Sequence, residues 1–313
     1  MKIAFVGKGG TGKTTLTSLF IKYLNDKKNK IIAIDADINV GLADNLGIEI
    51  NDDRFLSKSE NTSKIREKLI LNNNKIKSVN HFVKTTPPGN GSFIIDFSKQ
   101  DFFHNFSSYE NEYLKFFHVG TYRSDEIGVS CYHTHLSILE NIISHTKLDI
   151  NEYMVVDMVA GNDSFSNTLH SQFDVLFLIV EPIIESINMM KGFMKLANHS
   201  NETSKIVIIG NKIEDSDDLD FIKDNGINLD FYVPYNKNFK KNRRNGEIIV
   251  DDDLKLIFDN ILDYLLENIK VDRNKKLSDL HNLHKKYLEL DYIKLPLGDL
   301  SEQIDLDFNF DKC

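Results

Sequence analysis

The nine residues GKGGTGKTT at positions 7–15 decide the fold, because they fit the pattern G-x-x-x-x-G-K-[ST] of a phosphate-binding loop. The apolar run KIAFV precedes them, and apolar residues at helical spacing follow. A glycine-rich turn from a strand into a helix surrounds an anion with backbone N–H groups, and the helix N-terminus adds positive potential. The sequence therefore predicts a nucleoside triphosphate site, in preference to a chance glycine-rich turn. The residues expected to line it are Gly7, Gly9, Gly10, Thr11, Gly12, Lys13, Thr14 and Thr15.

Four positions fit the phosphate and metal chemistry of such a site. Lys13 is expected to reach the β- and γ-phosphates, and the Thr14 hydroxyl is expected to bind Mg²⁺. Asp157 ends an apolar run, where a carboxylate can hold a water on Mg²⁺. Gly161, four residues on, could let the backbone approach the γ-phosphate as a switch loop does.

Two more segments carry candidate chemistry. Asp35 and Asp37 follow the second apolar run, at the edge where α/β sheets bind ligands, although a pair that only caps the strand end stays an alternative. The amide of Asn211 can donate and accept toward an adenine edge. Because Asn211-Lys212 is followed by isoleucine and glutamate rather than x-Asp, we expect ATP rather than GTP.

The rest of the chain predicts a doubly wound α/β fold, with a mostly parallel sheet flanked by helices. Strands are expected at 2–6, 30–35, 114–119, 153–157, 175–180, 205–209 and 230–233, several of them apolar throughout. We divide the chain into an ATPase domain at 1–270, with a polar insertion at about 48–113, and a partly helical tail at 271–313. Within the insertion, SFIIDF could pair with NHFVK as a hairpin. The amphipathic segment 254–269 is expected to pack in the core.

Composition narrows the class of protein. A net charge of −9 argues against a nucleic-acid-binding surface, and no apolar run approaches the roughly 20 residues of a membrane span. The chain opens directly on a strand, so we expect no signal peptide. Two cysteines cannot build a disulfide framework, which favours a reducing cytoplasm.

The extra lysine of the loop, Lys8, carries a resemblance. The string K-G-G-x-G-K-[ST] resembles the deviant Walker A loop of the MinD, ParA and nitrogenase iron-protein class of P-loop ATPases. The resemblance implies an ATP-dependent homodimer in which Lys8 reaches the partner's phosphates, with Lys8, Lys13 and Asp37 catalytic and Asp37 positioning the attacking water. It also implies that the loop around Pro234 encloses the base. A solvated loop lysine is the alternative for Lys8.

The segments KGGTGKTT, DADIN, DMVAG, VEP, NK and PYN together look most like the CooC carbon-monoxide dehydrogenase maturation ATPase family. That resemblance implies ATP-driven dimer rearrangement that helps to load nickel into a metalloenzyme, and hence a client protein. Two alternatives stay open: a MinD- or ParA-like positioning ATPase that acts through a membrane, DNA or protein partner, and a non-hydrolysing scaffold. The basic run KNFKKNRR at 237–244 could touch phosphates or a partner, or be a solvated loop.

A final hypothesis concerns Cys131 and His133, which lie where the resembled family carries paired cysteines. Thiolate and imidazole suit Zn²⁺ or Ni²⁺, and zinc prefers four such ligands. One chain offers too few ligands, whereas two chains across a dimer axis offer Cys₂His₂. A half-buried loop thiol beside the start of a helix is the alternative.

Overall fold

A computed structural model describes residues 1–121, 132–161, 165, 167–244 and 248–312, and an eight-stranded sheet runs through this part of the chain. The order across the sheet is β3-β4-β2-β5-β1-β6-β7-β8, parallel except for β3, which runs antiparallel to β4. This confirms the predicted doubly wound, mostly parallel sheet. The strands are β1 (Lys2–Gly7), β2 (Lys30–Ala36), β3 (Tyr109–Glu110), β4 (Leu114–His118), β5 (Glu152–Met158), β6 (Val175–Val180), β7 (Ile206–Ile213) and β8 (Phe231–Pro234).

The central strands are apolar because helices cover both faces of the sheet. Every residue of β5 and β6 is buried, as is every residue of β1 after Lys2. All seven predicted strands occur, with ends that shift by a few residues. The antiparallel edge strand β3 was not predicted, because two residues are too few for an alternating pattern to appear.

Two layers of helices enclose the sheet. One face is covered by α1 (Lys13–Asp26), α2 (Gly41–Leu46) and α10 (Asp252–Asn268), whose buried side chains share one core cluster. The predicted core packing of segment 254–269 is thereby confirmed. The other face is covered by α3 (Ser59–Ile70), α4 (Gln100–Phe106), α5 (Tyr132–Ser144), α6 (Leu169–Gln172), α7 (Ile184–His199) and α8 (Ser216–Asp224). Helix α9 (Lys237–Arg244) packs Phe239 against the first cluster.

The polar insertion packs onto the second face rather than standing apart from it. The predicted hairpin between SFIIDF and NHFVK is wrong. Ile95 forms a parallel bridge with Thr146, beyond the end of α5, and Val79–His81 is a single turn of 3-10 helix. The reason is burial: Ile95 and Phe82 are each 1% exposed, and the Phe82 ring lies 5.5 Å from that of His145. Each segment is therefore stabilised more by burial in the core than it would be by pairing with the other segment.

The tail consists of α11 (Arg273–Leu288), α12 (Asp291–Leu297) and a following segment, and it lies against the insertion. The buried His284 Nδ1 lies 2.8 Å from Thr85 Oγ1, and Thr86 Oγ1 donates to Gln303 Oε1 at 3.0 Å. Asp305 accepts from the Asn90 backbone N at 2.8 Å. The insertion and the tail, for which the sequence predicted no role, thus pack against each other.

Candidate nucleotide-binding site

The phosphate loop joins β1 to α1 in the conformation that its glycines allow. Gly10 and Gly12 have φ values of 91° and 88°, a region that side chains with a Cβ rarely adopt. The Thr11 hydroxyl and backbone N both bind Lys8 O, at 2.9 and 3.3 Å. A Cβ on Gly7 would come within 2.6 Å of Ile179 O, so this position also needs glycine. The loop is therefore preformed, with the first-turn N–H groups of α1 left to bind an anion.

The carboxyl edges of β2 and β5 bring the predicted acidic residues next to α1. Asp35 pairs with Asp157 in the register of the two strands. The Thr17 hydroxyl lies 3.3 Å from Asp157 Oδ1, and Thr14 also hydrogen-bonds this carboxylate. Thr14, Lys13 and Asp157 therefore form one polar group at the start of α1.

This group fits a divalent cation. Asp157 is fully buried, and its Oδ2 has no hydrogen-bond partner among the described residues. Burial raises the pKa of Asp157 to about 6, although Lys13 and the Thr14 hydroxyl oppose the shift. A carboxylate held in this way is stabilised by a cation, and oxygen ligands are those that Mg²⁺ prefers. Thr14 and Asp157 are the residues that would hold it.

Asp37 and Asp35 have different environments. Asp35 Oδ1 accepts from Asp37 N at 3.1 Å and Asp35 Oδ2 from Leu42 N at 2.9 Å, so Asp35 holds the turn between β2 and α2. Burial and the neighbouring Asp157 raise the pKa of Asp35 to about 8. In the described part of the chain, Asp37 Oδ1 accepts from Asn39, through its backbone N and its side-chain amide. Both Asp35 oxygens are thus engaged by the backbone, whereas the role of Asp37 toward a ligand stays a prediction.

The switch-like segment after β5 begins against the phosphate loop. Gly161 N donates to Gly7 O at 2.9 Å, and Gly161 has a φ of 86°. The Lys8 side chain is half-buried, and it forms no ion pair with any carboxylate in the described ranges. Gly161 therefore contacts the start of the loop, while its approach to the γ-phosphate and the action of Lys8 on a partner stay predictions.

The sequence did not predict the hydrogen bonds by which Asn211 and Lys212 of β7 support the phosphate loop. Asn211 Nδ2 donates to Thr11 O at 2.6 Å. Next to it, Lys212 Nζ lies 2.6 Å from Gly10 O and 2.7 Å from Glu181 Oε2. The Asn-Lys pair was visible in the sequence, but only the fold brings β7 under the loop. Contact of Asn211 with adenine stays a prediction.

Three predicted positions lie either at the edge of the site or outside the described residues. Pro234 is exposed at the end of β8, and Tyr235 N donates to Ile213 O at 2.8 Å. Cys131 and the side chain of His133 fall outside the described residues. Within the described ranges no cluster of three metal-ligating side chains occurs, and no helix there has the length and apolarity that crossing a bilayer requires.

A phosphate loop between β1 and α1, with two acidic strand ends beside it, defines a P-loop nucleotide-binding protein. The chain belongs to the family described as the CobQ/CobB/MinD/ParA nucleotide binding domain, which matches residues 3–249. The tail lies beyond the matched region.

Individual relatives agree with this membership. The chain is 29% identical over 243 residues to an uncharacterized ATP-binding protein of Methanocaldococcus jannaschii, covering 76% of this chain and 85% of that protein. It is 26% identical over 231 residues to the carbon monoxide dehydrogenase accessory protein CooC of Rhodospirillum rubrum, covering 74% and 81%. The crystal structure of a ParA family ATPase from Chlorobium tepidum superposes with a TM-score of 0.57 at 16% identity, covering 85% of this chain and 98% of that one. The last likeness concerns the fold alone.

Proposed function

We propose that this protein is a Mg²⁺-dependent ATPase that works as an ATP-dependent homodimer. One observation carries the proposal: the buried Asp157 carboxylate lies beside Thr14 at the end of a preformed phosphate loop, and one of its oxygens has no hydrogen-bond partner in the described part of the chain. A structural carboxylate in such a position would be expected to satisfy both oxygens within the protein. The arrangement instead suits a cation that arrives with a nucleotide.

Each residue of the proposed site has a separate role. Loop N–H groups and Lys13 would hold the phosphates. Thr14, and Asp157 through a water, would hold Mg²⁺, which would supply positive charge beside the transferred phosphoryl group. Asp37 orients the attacking water, because one of its oxygens is not used by Asn39 in the described contacts. Asp35 keeps that aspartate in place through its hydrogen bond to Asp37 N.

Dimerisation would complete the site. Lys8 lies at the mouth of the loop without a carboxylate partner in the described residues, so its ammonium is available to a second chain. A cation supplied by the partner stabilises charge on the transferred group, as an arginine finger does. This role rests on the resemblance of the loop.

For the biological role we propose assistance in metal insertion or maturation of a metalloenzyme client. The support is the 26% identity to a protein named as a carbon monoxide dehydrogenase accessory protein. Cys131 and His133 would then be the residues to test for Zn²⁺ or Ni²⁺ binding across the dimer. Elemental analysis of the ATP-bound dimer, with Cys131→Ser beside it, tests that assignment.

The second candidate is a positioning ATPase, which the MinD and ParA members of the same family favour. Such a protein binds a membrane, DNA or a partner protein only with ATP. Co-pelleting with liposomes or DNA in the presence of ATP separates the two roles. Binding to either would replace the maturation role and leave the ATPase proposal standing.

The ATPase itself is tested by two variants and a control. Lys13→Ala should abolish nucleotide binding, because the loop loses its phosphate-binding ammonium. Asp37→Ala should retain binding and lose turnover, because the water loses its orienting group while the loop stays intact. Asp44→Ala, at an exposed aspartate of α2, is the matched control and should hydrolyse at the parent rate. Parent-rate hydrolysis by Asp37→Ala would end the assignment.

A further inference from the structure

A cavity lies at the amino edge of the sheet, opposite to the phosphate loop. Its volume is about 40 Å³, on a scale where one water needs roughly 10–15 Å³. One wall belongs to the ATPase domain and includes Lys2, at the start of β1, together with Gln172 and Asp174. The other wall is the tail, with Arg273 and Lys276 of α11. The cavity therefore exists only while the tail is docked.

Positive groups outnumber negative ones inside this cavity. Lys2 Nζ donates to Ile143 O at 2.6 Å, and it forms no ion pair with any described carboxylate. Lys276 is bonded to the buried Asp174, whose other oxygen accepts from Lys2 N at 2.7 Å. The buried Asp174 carboxylate is thus already engaged at both oxygens, and no carboxylate of the described residues forms an ion pair with the Lys2 ammonium.

Arg273 closes the outer side of the cavity. Its guanidinium donates to Leu148 O and lies 3.5 Å from Asp311 and 3.9 Å from Asp149. Both of these carboxylates are exposed at the rim, at 62% and 72% of their side-chain surface. These two carboxylates balance the charge of Arg273 at the solvent-exposed rim. They form no ion pair with the Lys2 ammonium inside the cavity.

The side-chain oxygen of Gln172 in the cavity wall needs a hydrogen-bond donor. Gln172 is 5% exposed, and its Oε1 has no hydrogen-bond partner among the described residues. The neighbouring hydroxyls of Ser144 and Thr146 already donate to Asn141 O and Ile142 O, at 3.0 and 2.7 Å. An occupant that accepts from Lys2 and also donates to Gln172 would satisfy both sides of the cavity.

We propose that the cavity binds a small, protonated oxyanion of the phosphate type, which fastens the tail helix α11 to the base of the sheet. Hydrogen phosphate fits because it has negative oxygens for the lysines and one O–H for Gln172 Oε1. Sulfate has the same size and no donor at neutral pH, so it should bind less well. The site lies outside the family's nucleotide-binding machinery and uses residues beyond the matched region.

The electrostatics of Lys2 agree with this assignment. Burial and the nearby Lys276 lower the pKa of Lys2 to about 7, although Asp174 opposes the shift. A bound anion would return the ammonium to its charged form. It would also bridge the two walls, since Lys2 lies on β1 and Lys276 on the tail.

The test is a calorimetric titration with inorganic phosphate at constant ionic strength, in a Lys13→Ala background so that the phosphate loop does not contribute. We expect saturable binding of one phosphate per chain, weaker binding of sulfate, and slower amide exchange in α11 when phosphate is bound. Lys2→Gln should weaken the affinity by about tenfold or more. Lys286→Gln, at an exposed lysine of the same helix, should leave it unchanged.

Gln172→Met provides a second variant in case Lys2→Gln does not fold. It keeps the side-chain volume, removes the unpartnered oxygen and should abolish the preference for phosphate over sulfate. Absence of saturable phosphate binding in the Lys13→Ala protein would overturn the proposal. Equal phosphate affinity in Lys13→Ala with and without Lys2→Gln would overturn it too.

Discussion

Asn211 donates its side-chain amide to Thr11 O at 2.6 Å, so that β7 supports the phosphate loop from below. A Cβ on Gly12 would lie 2.5 Å from the same Asn211 nitrogen, which shows how closely the two segments approach. Asn211, which the sequence analysis proposed as a contact for adenine, therefore supports the phosphate loop.

The two roles of Asn211 predict different outcomes for Asn211→Ala. If support of the loop dominates, affinity for ATP and for GTP should fall together, by about tenfold, because a buried hydrogen bond is lost. Titration with both nucleotides measures this. Asn198→Ala, at an exposed asparagine of α7, is the control. Loss of ATP affinity with GTP affinity unchanged would assign Asn211 to the base instead.

Lys212 should act on the same loop through its ion pair. Its Nζ links Gly10 O to Glu181 Oε2, at 2.6 and 2.7 Å. We expect Lys212→Met to weaken nucleotide binding, and Glu181→Gln to add little in the double variant, because both changes remove one connected contact. A double-mutant cycle on ATP affinity tests this. Fully additive effects would show that the two side chains act independently.

Glu140 of α5 contacts both Thr168, which lies after β5, and Lys84 of the insertion. Its Oε2 accepts from the backbone N and the hydroxyl of Thr168, and its Oε1 lies 3.8 Å from Lys84 Nζ. Lys84 Nζ in turn lies 5.1 Å from the centre of the Tyr287 ring on α11. Glu140 and Lys84 thus connect Thr168 to the tail helix, and we expect this route to carry an effect of ATP to α11.

Glu140→Gln should weaken that route and leave the nucleotide site intact. We predict that ATP alters amide exchange in α11 of the parent protein, and that this response is smaller in the variant at equal ATP occupancy. The comparison uses hydrogen exchange with saturating ATP, and Glu289→Gln, at an exposed tail residue, is the control. An unchanged response of α11 would exclude Glu140 from the coupling.

The buried His284 predicts a loss of stability in acid. It is 0% exposed, and burial, with a smaller effect of His281, lowers its pKa from 6.5 to about 4. As the pH falls, His284 is therefore protonated in the unfolded chain before it is protonated in the folded chain. The contribution of neutral His284 to the free energy of unfolding is complete above pH 6.5 and is lost as the pH drops toward 4. The loss from this residue is at most about 3 kcal/mol.

Urea unfolding between pH 7 and pH 4 measures this effect. His284→Asn keeps a hydrogen-bonding group near Thr85 and should flatten the pH dependence of the unfolding free energy. His199→Asn changes an exposed histidine and should not. Parallel curves for the parent and His284→Asn would contradict the assignment.

The sequence predicted those features that depend on local pattern. The phosphate loop has a fixed spacing, and the parallel strands are apolar throughout, so both were located within a few residues. The predicted hairpin does not form because Ile95 and Phe82 are buried against the residues that follow α5, and only tertiary packing decides this. The ion pair between Lys212 and Glu181 joins the end of β7 to the residue that follows β6. No local spacing in the sequence indicates such a contact.

The central claim, that two chains complete each other's ATPase sites, is tested most directly by mixing two inactive variants. Lys8→Ala and Asp37→Ala are combined in equal amounts with Mg²⁺-ATP, and hydrolysis is measured against each variant alone. If Lys8 acts across the interface, a mixed dimer contains one intact site, and activity should recover to about a quarter of the parent value by random pairing. If mixed dimers form, as shown by light scattering and a tagged pull-down, and no activity returns, Lys8 does not act in the partner's site and the account is contradicted.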